Sequence, residues 1–369
     1  GVFRTLRRNP NRRQIIVANR WVLLCGGLLL MAYCVTFVRS PSVPALFSID
    51  FETRFLLVML FFMFLNIDEK RTITLVRAIV WSVGLLALYG LVQYAWDYDR
   101  LLPLANYSVD LQAAELRRLY SYSLDVFDPA YGATIALLLL FAGASRWSVK
   151  RTLFLYVLIV PCLALTYARS AYLGLLSGLV FMCLHSRKYF KRVSILSLAA
   201  ACLLCTLVVL RNTAVFQSSV AQRIYSIALH KDESSLEHKR RMATAVNLII
   251  ANPFGIGLGK YGTAEARFLQ SVTETHYTEN WILQVGVQNG IFGALAYIGL
   301  TGAILVTLLQ SSPHVRSHAE PLHDAATGIF VAITVAALMI PVWDFFLSTV
   351  YACAVVGLAL GTGAKSTYA

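Results

Sequence analysis

The feature that most constrains this chain is a succession of long apolar runs separated by short, basic connections. Crossing a hydrocarbon core of ~30 Å takes roughly 17 to 25 residues. Ten candidate runs fall at about 20–38, 51–66, 72–95, 129–145, 151–168, 170–185, 193–210, 279–309, 324–342 and 344–363. Backbone amides in lipid must find partners within the segment, so runs of this length read as helices and the fold class as an all-α polytopic membrane protein. Composition agrees: 58% of the residues are hydrophobic and 14% charged, against about 25% charged in ordinary soluble domains. Gly1 stands where an initiator Met would, so at least that residue is expected to precede it.

The basic residues assign the sides. Arg4, Arg7, Arg8, Arg12 and Arg13 precede the first run and anchor the N-terminus in the cytoplasm. With ten spans, Lys70 and Arg71, then Arg146, Lys150 and Arg151, then Arg187, Lys188, Lys191 and Arg192 all fall in short inner loops, and both termini are cytoplasmic. The formal charge of +13 is therefore a topology signal and not a nucleic-acid surface. All seven cysteines, Cys202 and Cys205 included, lie in apolar runs and read as packing residues.

Two outer segments, about 96–128 and 211–278, exceed what a connection needs, and long loops in compact proteins are commonly functional. The chain thus divides into a bundle of about seven helices over 1–210, an outer loop over 211–278, and about three helices over 279–369. Within the loop, Met242, Ala245, Val246, Ile249 and Ile250 follow helical spacing. They predict an amphipathic helix over 235–252, a lid or rim above the membrane site.

The most informative stretch is Thr278-Glu279-Asn280-Trp281, followed after nine residues by Gly290-Ile291-Phe292-Gly293. In purely structural terms Thr278 can cap a helix, Glu279 can complement its positive end, and the glycines can permit close packing. Three other segments stand out. They are Arg118 to Gly132, which contains Asp128-Pro129; Thr166-Tyr167-Ala168-Arg169-Ser170-Ala171-Tyr172-Leu173-Gly174; and Asn252-Pro253-Phe254-Gly255-Ile256-Gly257-Leu258-Gly259. Taken in their order along the chain, the four resemble the signatures of the O-antigen ligase and polymerase superfamily, over about 180 residues.

The resemblance implies a GT-C-like fold in a bacterial inner membrane, with an active site facing the periplasm. The implied donor is a glycan on undecaprenyl pyrophosphate, and the acceptor a lipid-linked repeat or lipid A core, with membrane lipids and a chain-length regulator as further partners. It implies no metal and no cofactor. Arg169, Arg118, Arg117 and either Arg241 or Arg240 become the pyrophosphate-binding residues, a role that suits the planar guanidinium. Strict spacing back from Pro253 reaches His238 instead of an arginine. For Arg169 the alternative is snorkelling to lipid headgroups.

Where ligases carry His, this chain has Glu279, with His276 three residues earlier. Both are candidate bases, and Glu279 holds the motif position. Asn280 and Tyr172 are expected to shape the acceptor site. The departure from His favours polymerisation of O-antigen or exopolysaccharide over ligation to lipid A core. A non-enzymatic flippase is the third reading, disfavoured because charges other than Arg77 gather at the faces. Two decoys are set aside. Asp97 and Asp99 imitate a metal-binding carboxylate pair but face a compartment without nucleotide sugars. The glycines from Gly255 to Gly262 imitate a phosphate loop but lack its Lys-Ser or Lys-Thr ending, and read as a flexible turn.

Overall fold

The structure is a computed structural model and describes residues 12–65, 67–96, 127–186, 188–190, 233–262, 278–311 and 320–367. Among these residues every long element is an α-helix. They are α1 (Arg12–Ala18), α2 (Arg20–Arg39), α3 (Val43–Phe64), α4 (Glu69–Trp96), α5 (Phe127–Ala142), α6 (Val149–Thr166), α7 (Arg169–His185), α8 (Glu233–Ala251), α9 (Trp281–Ser311), α10 (Glu320–Ala337) and α11 (Phe346–Thr367). A short 3-10 turn, Val342–Asp344, joins the last two. Among the described residues four stretches are long and apolar enough to cross a membrane by themselves: Arg20–Arg39, Glu69–Ala95, Val149–Thr166 and Trp281–Gln310. The apolar cores of α5, α7 and α11 are shorter. The run expected at 193–210 lies outside the described residues.

One expected span moves. Residues 51–66 are instead the second half of α3, which starts at Val43: Ser42 accepts the Ala45 N–H as an N-cap and a proline occupies the first turn. The early start is concealed in the sequence by Asp50, Glu52 and Arg54. Glu52 is 2% exposed and matched at one oxygen, since its Oε1 accepts from Ser48 Oγ at 2.9 Å and from Gln288 Nε2 on α9 at 2.6 Å. Arg54 pairs with Asp50 and lies over the rings of Phe51 and Phe346.

The bundle is held by close backbone approach, which membrane helices need because apolar side chains gain little by leaving lipid for one another. Helix α7 packs along α10, with Gly174 and Gly178 against the carbonyls of Ala332 and Gly328. Helix α11 packs along α3, with Gly357 and Gly361 against the carbonyls of Met59 and Met63. Helix α5 is buried along nearly its whole length at the centre. Outward, Leu24, Leu28, Met31 and Val35 on α2, Leu153, Phe154 and Val157 on α6, and Ile291, Phe292, Leu295 and Ile298 on α9 are exposed. Apolar stripes of that extent belong against lipid, and the protein is a membrane protein.

Helix ends alternate between two faces. The starts of α3, α5, α7, α9 and α11 share the face that carries α8. The starts of α4 and α10 lie on the other, where Arg146 pairs with Glu69 and Lys188 pairs with Glu320 and Asp324.

Candidate functional site

The site is built around the first turn of α9. Asn280 is its N-cap, with Oδ1 accepting the Leu283 N–H at 3.0 Å while Nδ2 donates to the Leu338 carbonyl at the end of α10, also at 3.0 Å. Thr278, the cap expected from sequence, instead accepts the Asn280 N–H at 3.4 Å. The correction has a simple cause: the first helical residue is Trp281, so an N-cap must stand at position 280. Glu279 is left directly outside the cap, at the positive end of the helix.

Helix α8 lies against α9 and brings its own side chains to that carboxylate. His238 Nδ1 is 2.7 Å from Glu279 Oε2, and Arg241 is 3.6 Å from Glu279 Oε1. Arg241 is steadied in turn by Glu237, one turn earlier, at 3.1 Å. Positions 238, 241, 242 and 245 fall on one helical face, and Ala245 completes its contact with α9 in a small core with Tyr261 and Val287. Of the apolar residues expected on that face, Val246 and Ile250 are exposed instead, at 42% and 71%. The contact with α9 is narrow, and the outer flank of α8 continues through Phe254, stacked on Phe292, into the lipid-facing stripe of α9.

What holds α8 in place is the seam between two of the sequence motifs. Helix α9 breaks at Gly290, whose φ of 74° and ψ of −172° belong to a region that essentially only glycine enters. The broken ladder is repaired from the Asn252–Gly259 loop. Ile256 N–H donates to the Val287 carbonyl at 2.9 Å, Gly257 N–H to Gln288 at 3.2 Å, and Ile291 N–H to the Pro253 carbonyl at 3.0 Å. Backbone groups left unpaired in a membrane cost several kcal/mol, so these bonds are what make the break tolerable.

Gly255 packs directly on Gly290 and also has positive φ. Arg39 donates to the Phe254 carbonyl at 2.7 Å, and Gly259 N–H donates to Gln288 Oε1 at 3.2 Å. The flexible turn expected here is thus a pinned one. Its glycines give close backbone contact rather than freedom, and Gln288 ties it to Ser48 and Glu52 in α3.

Arg169 is the first residue of α7, half-buried, beside Ser170, whose hydroxyl is 2.6 Å from that of Tyr131 on α5. The same end of α5 supplies Asp128, whose carboxylate accepts the Ser348 N–H at 2.9 Å and so caps α11. Helix α7 packs on α10, whose end binds Asn280, so Arg169 and Glu279 share one face of the bundle. Tyr172 donates to the carbonyls of Leu163 and Ala164 at 3.2 and 2.7 Å, closing the turn between α6 and α7. Arg240 is exposed, with its carbonyl accepting from Thr244. Arg117, Arg118, His276, Asp97 and Asp99 lie outside the described residues.

The structure therefore gathers Glu279, Asn280 and Arg241, and adds His238. The signal for His238 is present in the sequence, because the spacing back from Pro253 ends on it. The buried trio of Ser48, Glu52 and Gln288 is not signalled by any motif.

Comparison with curated proteins gives no match. Residues 154–298, from α6 through α7 and α8 to the middle of α9, match the family model Wzy_C, O-Antigen ligase. This match, over less than half of the chain, supports the resemblance to the O-antigen ligase and polymerase superfamily.

Proposed function

We propose that this protein is a membrane glycosyltransferase of GT-C type. It passes a glycan from undecaprenyl pyrophosphate to an acceptor sugar hydroxyl at the periplasmic face of the bacterial inner membrane, polymerising O-antigen or exopolysaccharide repeats. The observation that carries this is Glu279, held between His238 and Arg241 at the capped start of α9, within the stretch that matches the family.

The chemistry suits the residues. An acceptor hydroxyl attacks the anomeric carbon from the face opposite the leaving group, inverting it. The carbon–oxygen bond to pyrophosphate breaks with its electron pair on the leaving group. Pyrophosphate is stable as an anion, so cations at Arg169 and Arg241, joined by Arg117 and Arg118, replace a general acid. A base for the hydroxyl proton remains, and Glu279 stands at its position. With α8 on the periplasmic side, the Lys188 and Arg146 face is cytoplasmic, as are both termini.

A second reading, ligation to lipid A core, is favoured by the description of the matched family as O-antigen ligase. The acidic residue at position 279 weighs toward polymerisation, in which the acceptor is another lipid-linked repeat. Flipping is disfavoured because Glu52, the most buried acid among the described residues, is tied to Ser48 and Gln288.

Purified protein given only undecaprenyl-pyrophosphate-linked repeats should produce a ladder of longer chains. Product that forms only when lipid A core is added identifies a ligase. Movement of lipid-linked glycan across a liposome without any new glycosidic bond overturns the transferase reading.

A further inference from the structure

The sequence points to Glu279 or His276 as the base, and the structure brings a different imidazole to Glu279. His238 lies 41 positions earlier, on α8, with Nδ1 2.7 Å from Glu279 Oε2. Both side chains are partly open, at 23% and 32% exposure. The two carboxylate oxygens have different neighbours, since Oε2 meets the imidazole and Oε1 faces the Arg241 guanidinium at 3.6 Å. A carboxylate can only accept, so the pairing puts the ring proton on Nδ1 and leaves the lone pair on Nε2. Among the described residues Nε2 has no hydrogen-bond partner. A carboxylate that fixes the tautomer of an imidazole whose other nitrogen has no partner among the described residues is the arrangement of an oriented general base.

We propose that His238 Nε2 is the proton acceptor of the transfer reaction and that Glu279 is its positioning residue, an assignment that rests on the glycosyl transfer proposed above. As the acceptor oxygen bonds to the anomeric carbon and pyrophosphate departs with the bonding electrons, the hydroxyl proton moves to Nε2. The Glu279 carboxylate balances the imidazolium that forms, and the proton then passes to water. Arg241, anchored by Glu237, stays clear of the proton path and holds the second carboxylate oxygen, so the pair cannot rotate out of register. The base and the family's motif position thus lie on different helices. Docking of α8 on α9 completes the site.

The test uses the full-length protein in lipid nanodiscs with a synthetic undecaprenyl-pyrophosphate-linked repeat as donor and acceptor. His238→Ala should lower kcat by about 10²- to 10⁴-fold, leave KM for the lipid-linked repeat unchanged, and regain turnover when imidazole is added. A merely structural histidine would show no such rescue. His238→Gln can still hydrogen-bond to Glu279, so it should fold and bind the repeat while failing to turn over. Wild-type rates from His238→Gln, with product still forming in the parent protein, would overturn the proton assignment alone and return the base to Glu279. A parent protein that forms no glycosidic product would overturn the transfer reaction and this assignment with it.

Discussion

On the face opposite α8, Lys188 reaches Glu320 and Asp324 at 2.6 Å each, and Tyr189 donates to the same Asp324 oxygen at 2.6 Å. On the α8 face, Glu279 is divided between His238 and Arg241. The residue types are alike but the settings are not. Asp324 is 4% exposed, and its helix α10 packs on α7 along a regular seam of small residues. Glu279 is 32% exposed and lies where one helix starts and another is laid across it, behind an irregular seam of glycines. Ion pairs between regular helices stabilise. A carboxylate kept half open beside an imidazole and a guanidinium, at a cost in backbone regularity, is what the proposed substrate site calls for.

The largest effect that can break this contrast is expected at Gly290. Any side chain there meets the Pro253 carbonyl and the Phe254 backbone, and non-glycine residues in this conformation cost about 1–3 kcal/mol before any clash. Gly290→Val should unseat the 252–259 loop and with it α8, abolishing polymer formation and lowering the thermal midpoint in detergent. If a folded Gly290→Val protein makes chains at the parent rate, the seam does not position the site.

Next comes Glu279→Gln, which keeps size and removes charge. A purely helix-capping carboxylate would lose at most about 1 kcal/mol of stability through the dipole. Loss of a group that acts in proton transfer costs roughly 10²- to 10⁴-fold in rate. The expected outcome is an intact thermal midpoint, retained donor binding and little product. Normal turnover would make the α8 face as structural as the other one.

Arg169→Lys sharpens the contrast from the donor side. A lysine keeps the charge and can snorkel equally well, but it lacks the fork that grips pyrophosphate through two bonds. Turnover should fall steeply while the fold persists, and Arg169→Ala should do no worse to stability. Full activity in Arg169→Lys would assign the side chain to lipid headgroups.

How much of this is legible in the sequence depends on whether the signal is local. The boundaries of α6, α7 and α9 follow from hydropathy and nearby motif residues, because each run carries its own signal. The start of α3 does not, because Glu52 is bonded within an apolar helix in part by Gln288, 236 positions away. The Asn-Pro-x-x-Gly-x-Gly and Gly-x-x-Gly motifs are each readable. That they are two halves of one seam follows only from the Ile256 to Val287 and Ile291 to Pro253 hydrogen bonds. His238 stands at the same limit: its spacing marks it, while its contact with Glu279 crosses from one helix to another. Arg240 and Arg241 are adjacent and alike in sequence, and the rotation of α8 on α9 separates them.

A smaller effect, on stability instead of rate, is expected on the opposite face. Asp324→Ala removes an acceptor of the buried Tyr189 hydroxyl, a loss of about 1–3 kcal/mol. Lys188 is partly exposed and keeps Glu320. The thermal midpoint should fall while product formed per folded molecule is unchanged. A rate loss as large as that of Glu279→Gln would show that the two faces are coupled and would dissolve the distinction.

The smallest effect is expected from removing metal ions. The negative charge that develops on the pyrophosphate has to be neutralised, and either a divalent cation or fixed guanidinium groups can do it. Arg241 stands against Glu279, and Arg169 opens α7 on the same face. Among the described residues no three of His, Cys, Asp or Glu come together as a metal site would require. If those guanidinium groups neutralise the leaving group, turnover in EDTA should equal turnover without it, and Asp97→Ala combined with Asp99→Ala should be tolerated. Chelator-sensitive transfer restored by magnesium or manganese would shift charge neutralisation from the arginines to a bound cation. The α8 face would then owe its activity to a ligand set and not to the seam that seats His238 and Arg241.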